Sequence, residues 1–169
     1  MEESLQGPAQ VPWWKGARGE WYVVAQALLA VLVLFGPRTF KGWTAWVHPY
    51  TEIAAIAGVA LCLTGGLLFA AAVLKLGHSF TPVPFPKPEA TLVETGPYGF
   101  VRHPMYSGAV LAALGWALLV HGWLTIVYVI ALFLLFDVKS RREEKWLTAK
   151  FSGYESYQRR VRKLIPYIY

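Results

Sequence analysis

Apolar residues fall into four runs, at 21–35, 53–74, 104–120 and 124–136, separated by polar, aromatic or proline-rich breaks. Runs of this kind read as bilayer-crossing helices. The first is short, about 23 Å at 1.5 Å per residue, so it draws Glu20 or Gly36 into its boundary. Gly36-Pro37 ends it, and 38–50 forms a connection whose Trp43, Trp46, Tyr50 and His48 belong at a headgroup interface. The second run repeats small residues at every fourth position, Ala54, Gly58, Cys62, Gly66 and Ala70, and the third carries Gly108, Ala112 and Gly115. Such stripes predict close helix–helix contacts, with Cys62 as a packing residue. His121-Gly122-Trp123 leaves room only for a hairpin between the third and fourth runs, with His121 exposed at its tip.

The breaks have their own character. Pro82, Pro84, Pro86 and Pro88 make 75–103 an extended, stiff loop, in which Phe80, Val83 and Phe85 form either an apolar wall or gate or the buried aromatics of a membrane-surface segment. Beyond residue 136 the chain turns strongly charged, and 137–164 reads as one or two amphipathic helices broken near Ser152-Gly153, with Trp146, Leu147 and Phe151 on one face. The expectation is a single all-α domain, a polytopic membrane helical bundle of about four transmembrane helices with interfacial C-terminal helices. It divides into an interfacial lead-in (1–20, with Trp13, Trp14, Lys15 and Arg18), two spans (21–74), a cytosolic Pro-rich loop (75–103), a helical hairpin (104–136) and a basic amphipathic tail (137–169).

Composition agrees: 56% hydrophobic and 15% charged residues in a chain of 169 are too apolar for an ordinary soluble domain. A net charge of +6 in a soluble protein would point to nucleic acid, but these cations flank membrane segments, where anionic lipid headgroups are the natural partner. Their distribution sets the topology. With four spans, the N-terminus, the 75–103 loop and the tail share one side and hold 2, 3 and 9 of the 16 Lys and Arg, against Arg38 and Lys41 on the other. The positive-inside rule makes the rich side, with both termini, cytoplasmic. One cysteine gives neither a disulfide framework nor a thiolate metal site, and residues 1–10 are acidic where a cleavable signal is basic.

Chemistry concentrates at Gly96-Pro97-Tyr98-Gly99-Phe100-Val101-Arg102-His103-Pro104-Met105-Tyr106-Ser107-Gly108. Pro104 suits the first turn of the following helix, which puts Arg102 and His103 at an N-terminus whose free N–H groups attract anions. The topology brings this motif to the same membrane face as Glu143 and Glu144. Adjacent on a helix, these point about 100° apart, so that one of them faces inward. Lys139 and Arg141 stand within a turn of them, at ordinary ion-pair spacing. Neither a strand-then-glycine dinucleotide turn nor paired histidines at metal spacing occur, and no metal site is expected.

GPYGFVRHPMYSG, Arg142-Glu143-Glu144 and Phe151-Ser152-Gly153-Tyr154-Glu155-Ser156-Tyr157 together resemble the C-terminal half of the isoprenylcysteine carboxyl methyltransferase and phospholipid methyltransferase superfamily, over roughly residues 75 to 166. The resemblance implies an integral membrane methyltransferase that uses S-adenosyl-L-methionine on a lipophilic acceptor. A prenylated-protein carboxylate, a phospholipid amine and a small thiol all remain open as that acceptor. It implies cofactor contacts from Tyr98, Arg102, His103, Pro104, Tyr106, Gly108, Glu143 and Glu144, and catalytic roles for Glu144 and for Lys139 or Arg141. The family commonly carries an arginine where this chain has Lys139, and a lysine does not reproduce a bidentate guanidinium. Of the two carboxylates, Glu144 is expected to bind cofactor and Glu143 to matter less. Two readings of other classes stand beside it: a nicotinamide-dependent sterol-type reductase, since such enzymes share a similar R-H-P-x-Y region, and a non-enzymatic membrane partner.

Overall fold

A computed structural model describes residues 12–169; the expectations for residues 1–11 lie outside them. A 3₁₀ turn at Trp13–Lys15 precedes five helices: α1 Glu20–Phe35, α2 Tyr50–Leu76, α3 Pro104–Leu119, α4 Trp123–Lys150 and α5 Tyr154–Arg160. Among the described residues there is no strand, only one parallel bridge between Val101 and Arg162. α2 and α4 are long and apolar enough to cross a bilayer, and α1 and α3 are shorter apolar helices. Large apolar side chains such as Leu28, Ile56, Leu67 and Leu74 point outward, an arrangement that suits lipid contact and that water would oppose.

α4 runs unbroken through Asp137 to Lys150, so the amphipathic segment expected as a separate interfacial helix is the direct continuation of the apolar run. The backbone needs no break where polarity changes, because a straight helix can carry 124–136 in hydrocarbon and its charged second half in the headgroups and water, where charges are far less costly. The chain breaks at Phe151–Gly153, as expected, before α5.

Helices α2 and α3 form the closest pair. A Cβ at Gly65 would stand 2.4 Å from the Ala112 amide nitrogen, one at Gly108 2.7 Å from the Gly65 carbonyl oxygen, and one at Gly115 2.6 Å from the Gly58 carbonyl oxygen. The Cys62 thiol donates to the Ala112 carbonyl at 3.4 Å, which confirms its packing place. The predicted stripe on α3 is the contact face; the one on α2 needs correction. A Cβ at Gly66 would meet nothing within 4 Å among the described residues, and the seam passes instead through Gly58, Cys62 and Gly65, with Ala54 and Ala72 also buried. Four residues turn about 400°, so a strict every-fourth stripe drifts some 40° per step around a straight helix, and by its fourth member it has left the interface.

α1 packs on α4 and is tied to α3 by the Trp116 indole donating to the Val33 carbonyl at 3.0 Å. The 38–50 connection returns beneath the hairpin tip. There His121 is not simply exposed: its Nε2 lies 3.1 Å from the Thr51 carbonyl, and its ring packs against Trp46.

Candidate functional site

The R-H-P segment is held by a partner that the sequence did not reveal. The amides of Arg102 and His103 donate to the carbonyls of Arg162 (2.8 Å) and Lys163 (3.1 Å), and the Ser107 hydroxyl donates to that of Leu164 at 2.6 Å. These two N–H groups, expected to receive an anion, are therefore already occupied by the segment after α5. Its own anchor is Asp137, which accepts from Lys163 and from the Tyr169 hydroxyl. Burial works to raise the Asp137 pKa, but hydrogen bonds from Lys163, Tyr169 and Arg141 outweigh it and hold the carboxyl at about 2.

Side chains of this segment meet α4. Arg102 Nε donates to Glu144 Oε1 at 2.8 Å, and its Nη1 donates to the carbonyls of Gln158 and Val161. His103 Nε2 lies 3.1 Å from Glu144 Oε1, and Gln158 donates to Oε2 at 3.2 Å. Burial again opposes ionisation of Glu144, and the hydrogen bonds from His103 and Arg102 overcome it, leaving its pKa at about 2. Glu144 is thus a saturated ion-pair centre behind the wall. Glu143 turns the other way, accepts from the Tyr106 hydroxyl at 2.7 Å and lines the cavity. The expected 100° divergence is present, and it is Glu143, not Glu144, that faces the pocket.

That cavity holds about 170 Å³, an order of magnitude beyond the roughly 10–15 Å³ that a water needs by the same measure. One end is roofed by Phe80, Pro82, Pro84 and Pro86 of the loop, and the other reaches Phe69 of α2, Ala109 of α3 and Phe136 of α4 at the apolar level. Of the three apolar loop residues for which a wall or a membrane-surface role stood open, Phe80 lines the cavity, while Phe85 packs edge-on against Trp146 at 5.4 Å. His103, Tyr106 and Phe136 stack in succession, with centroids 5.3 and 4.5 Å apart. Tyr98, Tyr154 and Tyr157 complete the aromatic lining, and burial above all pushes their phenols well above the ordinary value, so they stay neutral.

Lys139, 2% exposed, projects into the cavity. Its ammonium donates to Gln26 Oε1 at 2.8 Å and to the Pro82 carbonyl at 3.0 Å, and lies 5.1 Å from the Tyr106 ring centroid. No carboxylate pairs with it among the described residues, and burial lowers its pKa against the opposing pull of Glu143. Arg141, its alternative, is exposed on the far side of α4 in an ion pair with Asp137 at 2.8 Å. Of the other expected site residues, Tyr98, Arg102, His103 and Tyr106 line the cavity; Pro104 is buried as the first residue of α3, and Gly108 belongs to the α2 seam. Gln26, Tyr154 and Tyr157 line the site without having been singled out. The two tyrosines lay inside the quoted F-S-G-Y-E-S-Y motif, whereas nothing local marks Gln26.

Comparison with known proteins places this geometry. Residues 53–153 match the family model described as phospholipid methyltransferase. The chain is 30% identical over 149 residues to the cobalt-zinc-cadmium resistance protein CzcN of Cupriavidus metallidurans, covering 88% of this chain and 62% of that protein. It is 34% identical over 122 residues to the protein-S-isoprenylcysteine O-methyltransferase of Saccharomyces cerevisiae, covering 70% and 51%. A solved structure of the eukaryotic intramembrane Ras methyltransferase, isoprenylcysteine carboxyl methyltransferase, superposes with a TM-score of 0.62 at 23% identity, over 99% of this chain and 60% of that one. The chain thus spans between half and two thirds of the length of each of these proteins. Because the family match takes in α2 from residue 53, the R-H-P turn, α3, all of α4 and the break as far as Gly153, more than half of the sequence, this membrane protein belongs to the phospholipid methyltransferase family, within the superfamily that includes the isoprenylcysteine carboxyl methyltransferases.

Proposed function

We propose that the protein is an S-adenosylmethionine-dependent methyltransferase of the isoprenylcysteine carboxyl type, acting on a lipophilic acceptor that bears a carboxylate. In this reading α1 to α4 are four spans of one membrane domain, and the loop, the tail and both termini face the cytoplasm. The cation distribution supports that orientation, with only Arg38 and Lys41 on the opposite side.

The donor set fits the cofactor. Glu143 is a pocket carboxylate for an ammonium or ribose hydroxyls, Arg102 keeps its Nη2 donors after its other N–H groups are engaged, and the tyrosines and Phe136 offer faces for an adenine or a sulfonium. When bound, S-adenosylmethionine supplies an electrophilic methyl group on its sulfonium. The chain's residues orient and desolvate: the proline roof excludes water, and Tyr106 fixes the Glu143 carboxylate.

The observation that carries the acceptor class is Lys139, a buried pocket cation without a carboxylate partner among the described residues. An acceptor carboxylate completes it, needs no base, and loses its charge on esterification. An amine acceptor would meet repulsion there. The apolar end of the cavity, at Phe69, Ala109 and Phe136, supports a lipid-like remainder, and the names of the yeast relative and the solved structure agree with a prenylated cysteine.

Calorimetric titration of the purified protein with S-adenosylhomocysteine, and separately with a reduced nicotinamide cofactor, tests the cofactor. Labelled-methyl transfer to an S-prenylated cysteine with a free carboxyl, compared with an ethanolamine phospholipid, tests the acceptor. Nicotinamide binding alone would favour the reductase, binding of neither a non-enzymatic role, and transfer only to the phospholipid would overturn the carboxylate assignment.

A further inference from the structure

Away from the cavity, the outer face of α4 carries one unbroken line of exposed side chains: Val127, Ile130, Leu134, Val138, Arg141 and Lys145. The spacing of three and four residues keeps them on one stripe, and the chemistry switches once, from apolar to cationic, after Val138. The apolar part runs over the twelve residues from Val127 to Val138, a rise of about 16 Å at 1.5 Å per residue, a length close to the ~15 Å depth of one leaflet's hydrocarbon. The cationic part rises about 10 Å further, the level of headgroups.

At that level the stripe borders a groove between α1 and α4 lined by Tyr22, Val138, Arg141, Arg142, Lys145 and Trp146. Arg142 is laid across it, 5.8 Å from the Tyr22 ring centroid and 5.0 Å from that of Trp146, and among the described residues only one of its donors is engaged, by the Ala17 carbonyl at 3.2 Å. Its planar fork therefore has donors free to grip a planar or tetrahedral oxyanion. Among the described residues the Lys145 ammonium has no hydrogen-bond or ion-pair partner. The nearby acids are already committed, Glu20 to Arg18 at 3.0 Å and Asp137 to Arg141 and Lys163.

We infer that this groove is a binding site for one anionic phospholipid, with its phosphate between Arg142 and Lys145 and an acyl chain along Val138, Leu134, Ile130 and Val127. Charge complementarity selects the headgroup, and the single apolar-to-cationic switch at one leaflet's depth selects a lipid over a free anion. The site is separate from the methyl-transfer cavity and does not depend on the acceptor assigned there. Generalised attraction of a basic tail to an anionic surface would use any of the nine tail cations; this site uses two.

The test is native mass spectrometry of the full chain in detergent, titrated with phosphatidylglycerol or phosphatidylcholine of matched chains. The wild type should retain one phosphatidylglycerol in preference to phosphatidylcholine. Arg142→Gln with Lys145→Gln should weaken that retention about thirtyfold, from roughly 1 kcal/mol for each cation near a lipid phosphate. Arg159→Gln with Arg160→Gln, which removes the same charge from α5, should leave it unchanged. Lys145→Glu, at an exposed side chain without partners among the described residues, guards against misfolding of the double variant and should also abolish the preference. Equal losses in the two double variants would reduce the effect to bulk charge, and no preference in the wild type would reduce these cations to topology signals. Displacement of the lipid by 10-fold excess inorganic phosphate would make the groove a plain anion site. Each of these results overturns the inference.

Discussion

Arg102 and Glu144, 42 positions apart in sequence, stand 2.8 Å from each other and join the turn before α3 to the charged half of α4. Both side chains are only 12% exposed, and His103 shares the same carboxylate oxygen. Removing the carboxylate leaves a guanidinium without its counter-charge in a largely dry place, so Glu144→Ala should destabilise the detergent-solubilised protein by roughly 3–5 kcal/mol. Glu143→Ala should melt within about 1 kcal/mol of the wild type yet lose tenfold to over a hundredfold in S-adenosylhomocysteine affinity, the value of a hydrogen bond to a charged group. Melting curves and calorimetry on the two variants check the pair, and the opposite pattern would return Glu144 to the cofactor site.

Acid should undo the same joint. The Glu144 carboxyl has its pKa depressed from 4.5 when free to about 2 in the fold. A depressed carboxylate contributes stability that is fully present above 4.5 and is lost as pH falls towards 2, here on the order of 3 kcal/mol. Asp137, likewise held at about 2, adds in the same direction. Thermal midpoints from pH 7 to pH 3 should fall most steeply below 4.5. Glu144→Gln should start lower at pH 7 and fall less, and parallel curves would refute the linkage.

Across the helix seam, Gly65→Leu should cost at least the 1–3 kcal/mol typical of overpacking, since its neighbours within 3 Å are all backbone atoms of Gly108 and Ala112. Gly66→Leu, one residue on, meets open space and should leave melting unchanged. Equal effects at the two positions would mean that α2 is rotated from the orientation described.

How far these features were legible depends on the range over which their physics acts. The helices and the small face of α3 follow from local pattern, and the break after Lys150 from Ser152-Gly153. The position of Gly66 was misread because a four-residue repeat slips on a 3.6-residue helix. Glu143 and Glu144 could be separated by angle but not assigned, because the assignment rests on Tyr106, 37 residues away from Glu143. The pinning of Arg102 and His103 by Arg162 and Lys163 is a backbone pairing, indifferent to side-chain type and so without a sequence signature.

Topology admits a direct check. Single cysteines at Lys41 and Ser152, both exposed, should react with an impermeant thiol reagent from opposite sides of sealed vesicles, while Cys62 stays silent in the α2–α3 seam. Reaction of both from one side would overturn the reading of α2, α3 and α4 as three successive spans.

Lys139 offers the sharpest separation of roles, because its ammonium holds the loop through the Pro82 carbonyl and at the same time stands in the cavity as a cation without a carboxylate partner among the described residues. If it serves the acceptor, Lys139→Met keeps the buried stem but removes the charge, so S-adenosylhomocysteine affinity should stay within about threefold of the wild type. The kcat/KM for a prenylated carboxylate should fall by tenfold to a hundredfold or more, the value of one charge-assisted hydrogen bond. Lys139→Arg restores the charge in a larger, forked form and should recover part of that loss. If the residue is only a strut for the loop, product affinity and turnover should fall together in Lys139→Met, and the loop should become more open to protease. Steady-state kinetics, calorimetry and limited proteolysis on the two variants distinguish these outcomes, and a joint loss of affinity and turnover would remove Lys139 from contact with the acceptor.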